Sequence, residues 1–301
     1  MDRRRFLTAL GCASAVAVKP SLSWANTSVG DMTLSTLSDG YLTLPPDFIF
    51  APMPKDELAG VLAPYQVDAT SLTPECNLTL LRNGDRTILF DTGAGLEFMN
   101  TTGQLIDSLD AAGVAPEDVT DVIFTHAHPD HLWGVLDDFG DPLFYDATHH
   151  IGRIERDYWI DPNTVDTIGD ARTTFAVGAK RRLEEIAGQL NVFEDGAEVV
   201  PGVIAQLTPG HTPGHMAFVV ASGNDAALIL GDAIGNDHVA LARPEWNSGS
   251  DQDMETAAAT RVKLIDQITT DDLLVVGFHF ANGGLGRLST EGGVRRFIAA
   301  E

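Results

Sequence analysis

The feature that most constrains this chain is the seven-residue segment THAHPDH at Thr125–His131. It follows an apolar run ending at Phe124, which is typical of a short buried strand. Three imidazoles and a carboxylate at such a strand end would carry a large desolvation cost without a partner. Zinc accepts both ligand types. The pattern therefore predicts a metal site at the end of a strand and disfavours a histidine-rich surface turn.

The spacing inside this segment favours two ions. His126 and His128 stand two residues apart, so in an extended segment they share one side and can bind the same ion. Pro129 then imposes a turn. Asp130 and His131 follow the turn and can face a second ion.

Three later segments repeat the arrangement of a strand end followed by a ligand. Thr208–His215, with the sequence TPGHTPGH, is a rigid turn that presents His211. The apolar runs in Leu228–Asp232 and Val275–His279 end on an aspartate and on a histidine. Each segment alone is weak evidence for a metal site, because a single polar residue at a strand end is usually a cap or a satisfied core group. Together with the first motif, and in this order, they are highly specific.

In these motifs the sequence resembles the metallo-β-lactamase fold superfamily of hydrolases, from about Met32 to the end. The resemblance implies an α/β fold, an αββα sandwich of two mixed β-sheets flanked by helices. The alternation of predicted strands and helices, with hairpins inside each half, favours the same layered architecture. Residues 26–301 are expected to form a single domain of this fold.

The resemblance also implies which residues bind metal. The ligands would be His126, His128 and His211 on one ion, Asp130, His131 and His279 on the other, and Asp232 on both. We expect two divalent metal ions, with zinc as the first candidate; manganese, iron and cobalt accept the same ligands. Asp91 matches a further family motif and is expected to support the metal-site loops by hydrogen bonds. His215 is expected to be a structural neighbour of the site and not a ligand.

The resemblance implies a hydrolase in which a metal-bridging hydroxide attacks a lactone, ester or phosphotriester. Asp130 or Asp232 would shuttle the proton and are the candidate catalytic residues. The nearest resemblance is to the methyl parathion hydrolase and lactonase-like group. Many lactonases carry a tyrosine where this chain has Gly235, which weakens a direct match to acyl-homoserine lactonases. Two alternatives stay open, a non-catalytic metal-binding scaffold and a β-lactamase-type amide hydrolase.

Aromatic side chains are candidate walls of the substrate pocket. Trp133 and Phe280 are close in sequence to metal ligands, whereas the others are chosen for their aromatic character alone. For each of them, packing in the core is as plausible as a place in the pocket wall. The candidates are Phe48, Phe50, Trp133, Tyr158, Trp159 and Phe280.

The charge of the chain limits its partners. The formal net charge of −24 disfavours binding to nucleic acid phosphates and anionic lipids. A small neutral or apolar ester-like substrate would not be repelled. Cys76 is expected to be a buried small residue instead of a nucleophile, since no histidine pattern surrounds it.

The N-terminus predicts export. Arg3–Arg5 precede the apolar stretch Leu7–Val18, and Ser23–Ala25 offer small residues for signal cleavage. We therefore expect residues 1–25 to be a twin-arginine signal and the protein to be periplasmic or secreted. The apolar stretch is too short to span a membrane.

The segments between the motifs predict three helices and one long loop. Helical periodicity appears at residues 103–112, 171–190 and 253–268. Residues 44–75 are expected to form a long irregular loop that serves as a lid, or whose apolar residues serve a homodimer interface.

Overall fold

The structure is a computed structural model that describes residues 26–67 and 70–300. The predicted signal at residues 1–25 lies outside the described residues and stays a prediction. In the described part, two seven-stranded sheets face each other and helices cover their outer sides. The predicted αββα sandwich of two mixed sheets is confirmed.

The first sheet contains its strands in chain order. They are β1 (Asn26–Val29), β2 (Met32–Tyr41), β3 (Glu75–Asn83), β4 (Arg86–Phe90), β5 (Asp121–Ile123), β6 (Thr148–Gly152) and β7 (Leu190–Phe193). Neighbours are antiparallel from β1 to β4 and parallel from β4 to β7. Strands β3 and β4 form a hairpin in which Asn83 pairs with Arg86, and Gly84 has a φ of 58° in the turn. Glycine suits this left-handed backbone because it has no Cβ.

The second sheet also follows chain order. Its strands are β8 (Glu198–Val200), β9 (Val203–Leu207), β10 (Met216–Ser222), β11 (Asp225–Ile229), β12 (Leu274–Val276), β13 (Leu285–Glu291) and β14 (Val294–Ala299). Neighbours are antiparallel except for β11 and β12, which are parallel. The crossover between these two parallel strands contains the long C-terminal helix.

The helices lie mostly in the connections between strands. They are α1 (Asp47–Phe50), α2 (Lys55–Leu62), α3 (Leu105–Ala111), α4 (Pro129–Leu132), α5 (Arg153–Ile160), α6 (Thr164–Thr167), α7 (Thr173–Glu185), α8 (Val239–Ala242) and α9 (Met254–Thr270). None of the helices within residues 26–67 and 70–300 is both long and apolar enough to cross a membrane.

The central strands are apolar on both faces because each sheet is covered on one face by the other sheet and on the other face by helices. In β4, Ile88 and Phe90 point between the two sheets, whereas Leu89 points toward the helices outside. In β11, Ile229 points between the sheets and Leu228 packs toward α9. Each such burial contributes about 1.5–3 kcal/mol. This continuous burial is why these strands read as uninterrupted apolar runs.

Two of the predictions about local structure need correction. Residues 44–75 are not an irregular loop, because they contain α1, α2 and a 3-10 turn at Ala63–Tyr65. The apolar side chains of this segment pack into a separate small core with Val239. The helix predicted at residues 171–190 is shorter: α7 is flanked by 3-10 turns at Asp170–Arg172 and Ala187–Gln189. Helices α3 and α9 match the predicted helices closely.

A buried histidine in β6 makes the fold sensitive to acid. His149 is fully buried and stacks on Phe124 at a ring-centroid distance of 6.2 Å. Neither ring nitrogen makes a well-formed hydrogen bond to a described residue. Burial and the neighbouring His150 lower the pKa of His149 to about 4. The unfolded chain therefore binds a proton between about pH 6.5 and 4 that the folded chain excludes, so stability falls as pH falls through this window.

We expect His149→Phe to relieve this acid sensitivity, because phenylalanine keeps the stack and cannot be protonated. The gain in unfolding free energy over wild type should grow as pH falls below about 6.5, reaching about 2 kcal/mol at pH 5. Urea unfolding of both proteins at pH 8, 6.5 and 5 measures the difference. A difference independent of pH would show that His149 does not carry the effect.

Candidate metal centre

The seven predicted ligands meet at one edge of the sandwich. All of them are at least nine-tenths buried, and they follow the ends of β5, β9, β11 and β12. Short helix α4 begins at Pro129 directly after the first two histidines, so it turns Asp130 and His131 back toward them. The structure therefore brings together side chains that are scattered over more than 150 positions.

Three imidazoles form the first group. His126 Nε2 lies 3.1 Å from His128 Nδ1, which in turn lies 2.9 Å from His211 Nε2. His128 thus presents its Nδ1, whereas the other two rings present Nε2. The three nitrogens lie within 4.8 Å of one another, close enough to surround one ion.

The second group is formed by a carboxylate and two imidazoles. Asp130 Oδ2 lies 3.2 Å from His279 Nε2 and 3.6 Å from His131 Nε2. Cys76 adjoins this group, since its Sγ lies within 4.8 Å of ligand atoms of Asp130 and His279. Burial raises the pKa of the Cys76 thiol to about 12, which keeps it protonated at neutral pH.

Asp232 lies between the two groups. Its Oδ2 is 3.2 Å from His211 Nε2 in the first group and 3.4 Å from His279 Nε2 in the second. Its Oδ1 is 3.3 Å from His131 Nε2. A carboxylate in this position can contact both ions at once.

The donor set fits two divalent metal ions. Nitrogen and carboxylate oxygen atoms face one another across a few ångströms, as ligands of a shared cation do. His131 Nε2 and Asp232 Oδ1 are buried without a well-formed hydrogen bond to any described residue. Buried polar atoms are normally satisfied, so these two point to a partner that the polypeptide does not supply. The same oxygen and nitrogen ligands suit several divalent metals.

The protonation of the histidines is set by their surroundings. Burial and adjacent imidazoles hold the pKa of His126 and His128 well below the usual range, so both rings are neutral and can bind a metal. Burial opposes the charged form of His131, but the carboxylates of Asp232, Asp130 and Asp91 raise its pKa to about 10. The carboxylates that favour a positive charge on this ring also favour a cation beside it, so a bound metal ion would take the place of the proton on Nε2.

The second ring nitrogens of the histidines are held by the protein. Asp91 accepts from His131 Nδ1 at 2.8 Å and from the Thr125 amide and hydroxyl, both also at 2.8 Å. This agrees with the supporting role predicted for Asp91. Its own φ of 62° is strained for a residue other than glycine, as is common at functional sites. His279 Nδ1 donates to the Glu75 carbonyl at 2.8 Å. Such contacts fix the orientation of each ring.

Two supporting carboxylates were not predicted. Asp251 faces His211 Nδ1 at 3.1 Å and is also paired with Arg261. Glu155, in α5, is fully buried and accepts four hydrogen bonds. Asp251 follows a segment rich in glycine and serine, and Glu155 lies in a helix. Neither segment carries a metal-binding motif, and both residues are far in sequence from the groups that they contact.

Glu155 joins the two loops that present the three-histidine group. It accepts from the Ala127 amide at 3.0 Å, between His126 and His128. It also accepts from the Thr212 hydroxyl at 2.7 Å and the Gly214 amide at 3.0 Å, just after His211. The Trp159 indole donates the fourth bond at 2.6 Å. Burial raises the pKa of Glu155, and these four donors oppose that rise.

His215 supports the bridging aspartate without joining the ligand groups. Its Nε2 accepts from the Asp232 amide at 2.9 Å, and its Nδ1 contacts the Thr208 hydroxyl at 2.8 Å. A Cβ at Gly231 would meet His215 Nε2 at 2.6 Å, so only glycine allows this close approach. The prediction of a structural role for His215 agrees with this geometry.

A cavity of about 310 Å³ opens onto the site. Its lining includes His128, Asp130, His211, Asp232 and His279 from the metal centre. The other walls are largely apolar, with contributions from Leu42, Leu44, Phe48, Phe98 and Phe175. Phe48 therefore lies where the sequence placed it, and the aromatic walls Phe98 and Phe175 were missed.

The other aromatic candidates lie elsewhere, which corrects the predicted pocket. Trp159 and Phe280 are fully buried, the first bound to Glu155 and the second packed on Phe297. Phe50 is buried in the small core beside His238, and Tyr158 packs on Trp159. Trp133 stacks under Arg182 at 4.3 Å and lines a different cavity. Closeness in sequence to a ligand did not fix the direction of these side chains.

Comparison with known proteins agrees with this geometry. The sequence pattern of the metallo-beta-lactamase superfamily matches residues 74–279, which include all seven ligand positions. The chain belongs to the metallo-beta-lactamase superfamily.

Two solved structures resemble the whole fold. AidC, a dizinc quorum-quenching lactonase solved in complex with the product N-hexanoyl-L-homoserine, has a TM-score of 0.85 and 26% identity over 93% of this chain and 98% of AidC. The hydrolase AbOPH of the beta-lactamase superfamily has a TM-score of 0.85 and 24% identity over 94% of this chain and 99% of AbOPH. The second likeness shows the fold alone.

Curated relatives include N-acyl homoserine lactonases. The N-acyl homoserine lactonase AttM of Agrobacterium fabrum is 31% identical over 128 residues, which are 42% of this chain and 44% of AttM. The match thus spans less than half of AttM. An uncharacterized protein of Mycobacterium bovis, Mb2612c, is 27% identical over 74% of this chain and 91% of its own length.

Proposed function

We propose that this protein is a dinuclear metal-dependent hydrolase that opens lactones, with aryl esters as further substrates. The observation that carries the proposal is the position of Asp232, which reaches both ligand groups through one oxygen atom. Such an arrangement suits two adjacent ions better than one ion. Bound divalent ions supply the Lewis acidity that activates water and polarises a carbonyl.

The residues of the chain supply orientation and proton transfer. Asp130 and Asp232 both line the cavity, so either carboxylate can take the proton of the attacking water and deliver it to the departing alkoxide. The reaction then yields one carboxylate and one alcohol, which stay joined when the substrate is a lactone. Asp91 and Asp251 hold His131 and His211 in fixed orientations during this transfer.

The walls of the cavity support an acyl substrate. Leu42, Leu44, Phe98 and Phe175 offer apolar surface beside the metal centre. Such a surface stabilises a hydrocarbon chain by burying it from water. The lactonases AidC and AttM favour an acyl lactone as the first substrate to test. Gly235 lines the cavity without a side chain, which leaves room near the bridging aspartate.

A substrate panel on the zinc-loaded protein tests the proposal. The panel contains N-hexanoyl-homoserine lactone, a 4-nitrophenyl ester, a phosphotriester and a β-lactam, with the chelator-treated protein as the control. We expect the lactone to be hydrolysed with the highest kcat/KM, and the activity to disappear on chelation and return with metal. Two bound ions without hydrolysis of any panel member would contradict the proposal and favour the scaffold alternative.

A further inference from the structure

One cation stands in the wall of the metal cavity. Arg172, at the end of the 3-10 turn before α7, is the only arginine or lysine among the described residues that line the cavity. It is half-buried, and His128 and His211 of the three-histidine group line the same cavity. The positive charge therefore faces the same space as the metal centre.

Arg172 lacks an acidic partner. It makes no ion pair with any carboxylate of the described residues, whereas Arg182 and Arg261 each have one. Asp251 is the acidic group that acts on Arg172, but its carboxylate is engaged by His211 and Arg261. A partly desolvated guanidinium without a counter-ion is costly, because burial disfavours its charge and arginine stays protonated.

Part of the guanidinium is free to bind a ligand. Nη2 donates to the carbonyls of Gly249 and Ser250 at 3.0 and 2.9 Å. These two bonds fix the side chain in place. Nε and Nη1 make no hydrogen bond to any residue in 26–67 and 70–300. Each of these nitrogens can donate a charge-assisted hydrogen bond to an anionic oxygen.

We propose that Arg172 binds a carboxylate carried by the substrate at a distance from the bond that is cleaved. The preferred substrates are then esters or lactones that bear one negative group, held with their acyl part along the apolar walls. This inference rests on the proposed function, because it names the substrate class of the same site. It differs from the expectation of a neutral substrate, which followed from the net charge of the chain alone.

Matched esters test the proposal. The charged substrates are the 4-nitrophenyl half-esters of succinic, glutaric and adipic acids, each paired with the uncharged 4-nitrophenyl ester of the same chain length. For the best-fitting length, we expect Arg172→Gln to lower kcat/KM for the charged ester about 10- to 100-fold, as loss of a charge-assisted hydrogen bond does. The uncharged ester should change less than about twofold, and Arg172→Lys should restore part of the difference.

Two results would overturn the proposal. An equal loss on charged and uncharged esters would mean that Arg172 only anchors Gly249 and Ser250. No loss on either would mean that it contributes nothing. Arg287→Gln serves as the control, since this arginine is half-exposed at Asp272 and lies outside the lining of the cavity.

A binding measurement separates this proposal from the proposed function. Glutarate and pentanoate share a carboxylate and a chain of equal length, and differ in the second carboxylate. Calorimetry with the metal-loaded protein should show tighter binding of the dicarboxylate, or of its succinate or adipate analogue, and Arg172→Gln should abolish that preference. If no ester is hydrolysed but the preference is present, the hydrolase proposal fails and the anion site stands. Equal binding of mono- and dicarboxylates by the wild type would overturn the anion site.

Discussion

Replacing Asp232 with asparagine is expected to reduce the metal content from two ions per chain to one or fewer and to abolish most of the activity. Asparagine keeps the size of the side chain but removes the negative charge that faces His131, His211 and His279. A loss of ~4 kcal/mol of transition-state stabilisation would lower kcat/KM by about 10³-fold. Elemental analysis and lactone kinetics on the same preparation measure both effects.

The control for this substitution is Asp225→Asn, at the start of β11, the strand that precedes Asp232. Asp225 is exposed, and its side chain accepts from the Gly30 amide. Its replacement should leave metal content and kcat/KM close to wild type. If Asp232→Asn kept two ions and normal kinetics, the bridging position of this carboxylate would have no functional meaning.

Replacing Glu155 with glutamine is expected to weaken both the fold and the metal site. The carboxylate accepts four hydrogen bonds in a fully buried position. Glutamine presents an NH₂ group to part of these donors, which leaves buried groups unpaired at a cost of about 2–4 kcal/mol. Because the loops of His128 and His211 lose their common anchor, metal affinity should fall about 10- to 100-fold.

Thermal unfolding of the metal-free protein and competition with a chelator measure these two losses separately. Glu184→Gln is the matched control, because the Glu184 side chain is exposed on α7 and lies 3.9 Å from Lys180 Nζ. A lower melting temperature with unchanged metal affinity would show that Glu155 stabilises the fold without positioning the ligands. Unchanged values of both would contradict the role described for it.

The strand ends and the ligand motifs could be predicted because their signals are local. An apolar run followed by histidine or aspartate shows where a buried strand leaves the core, and His126 and His128 are separated by one residue. Asp91 and His215 could be placed in supporting roles from short motifs of the same kind. The structure brings each of these side chains to the edge where the strands of both sheets end.

The support from Glu155 and Asp251 could not be predicted because it depends on distant parts of the chain. Glu155 binds groups 28 and 59 positions away, and Asp251 faces a ring 40 positions away. Neither lies in a segment with a recognisable pattern. Arg172 was missed for the same reason, since nothing near it in sequence shows that the start of α7 faces the metal cavity.

The pocket was predicted poorly because composition does not determine side-chain direction. Phe280 is adjacent to His279, yet its ring turns into the core behind the second sheet. The segment at residues 44–75 looked irregular because its helices are only 4 and 8 residues long. Helices this short are stabilised by tertiary packing instead of by propensity.

The most direct test of the account is a crystal structure of the zinc-loaded protein with anomalous data collected at the zinc absorption edge. We expect two anomalous peaks at the edge of the sandwich, one within reach of His126, His128 and His211 and one within reach of Asp130, His131 and His279. Asp232 should contact both. A single peak, or peaks away from these side chains after loading with zinc, would contradict the account.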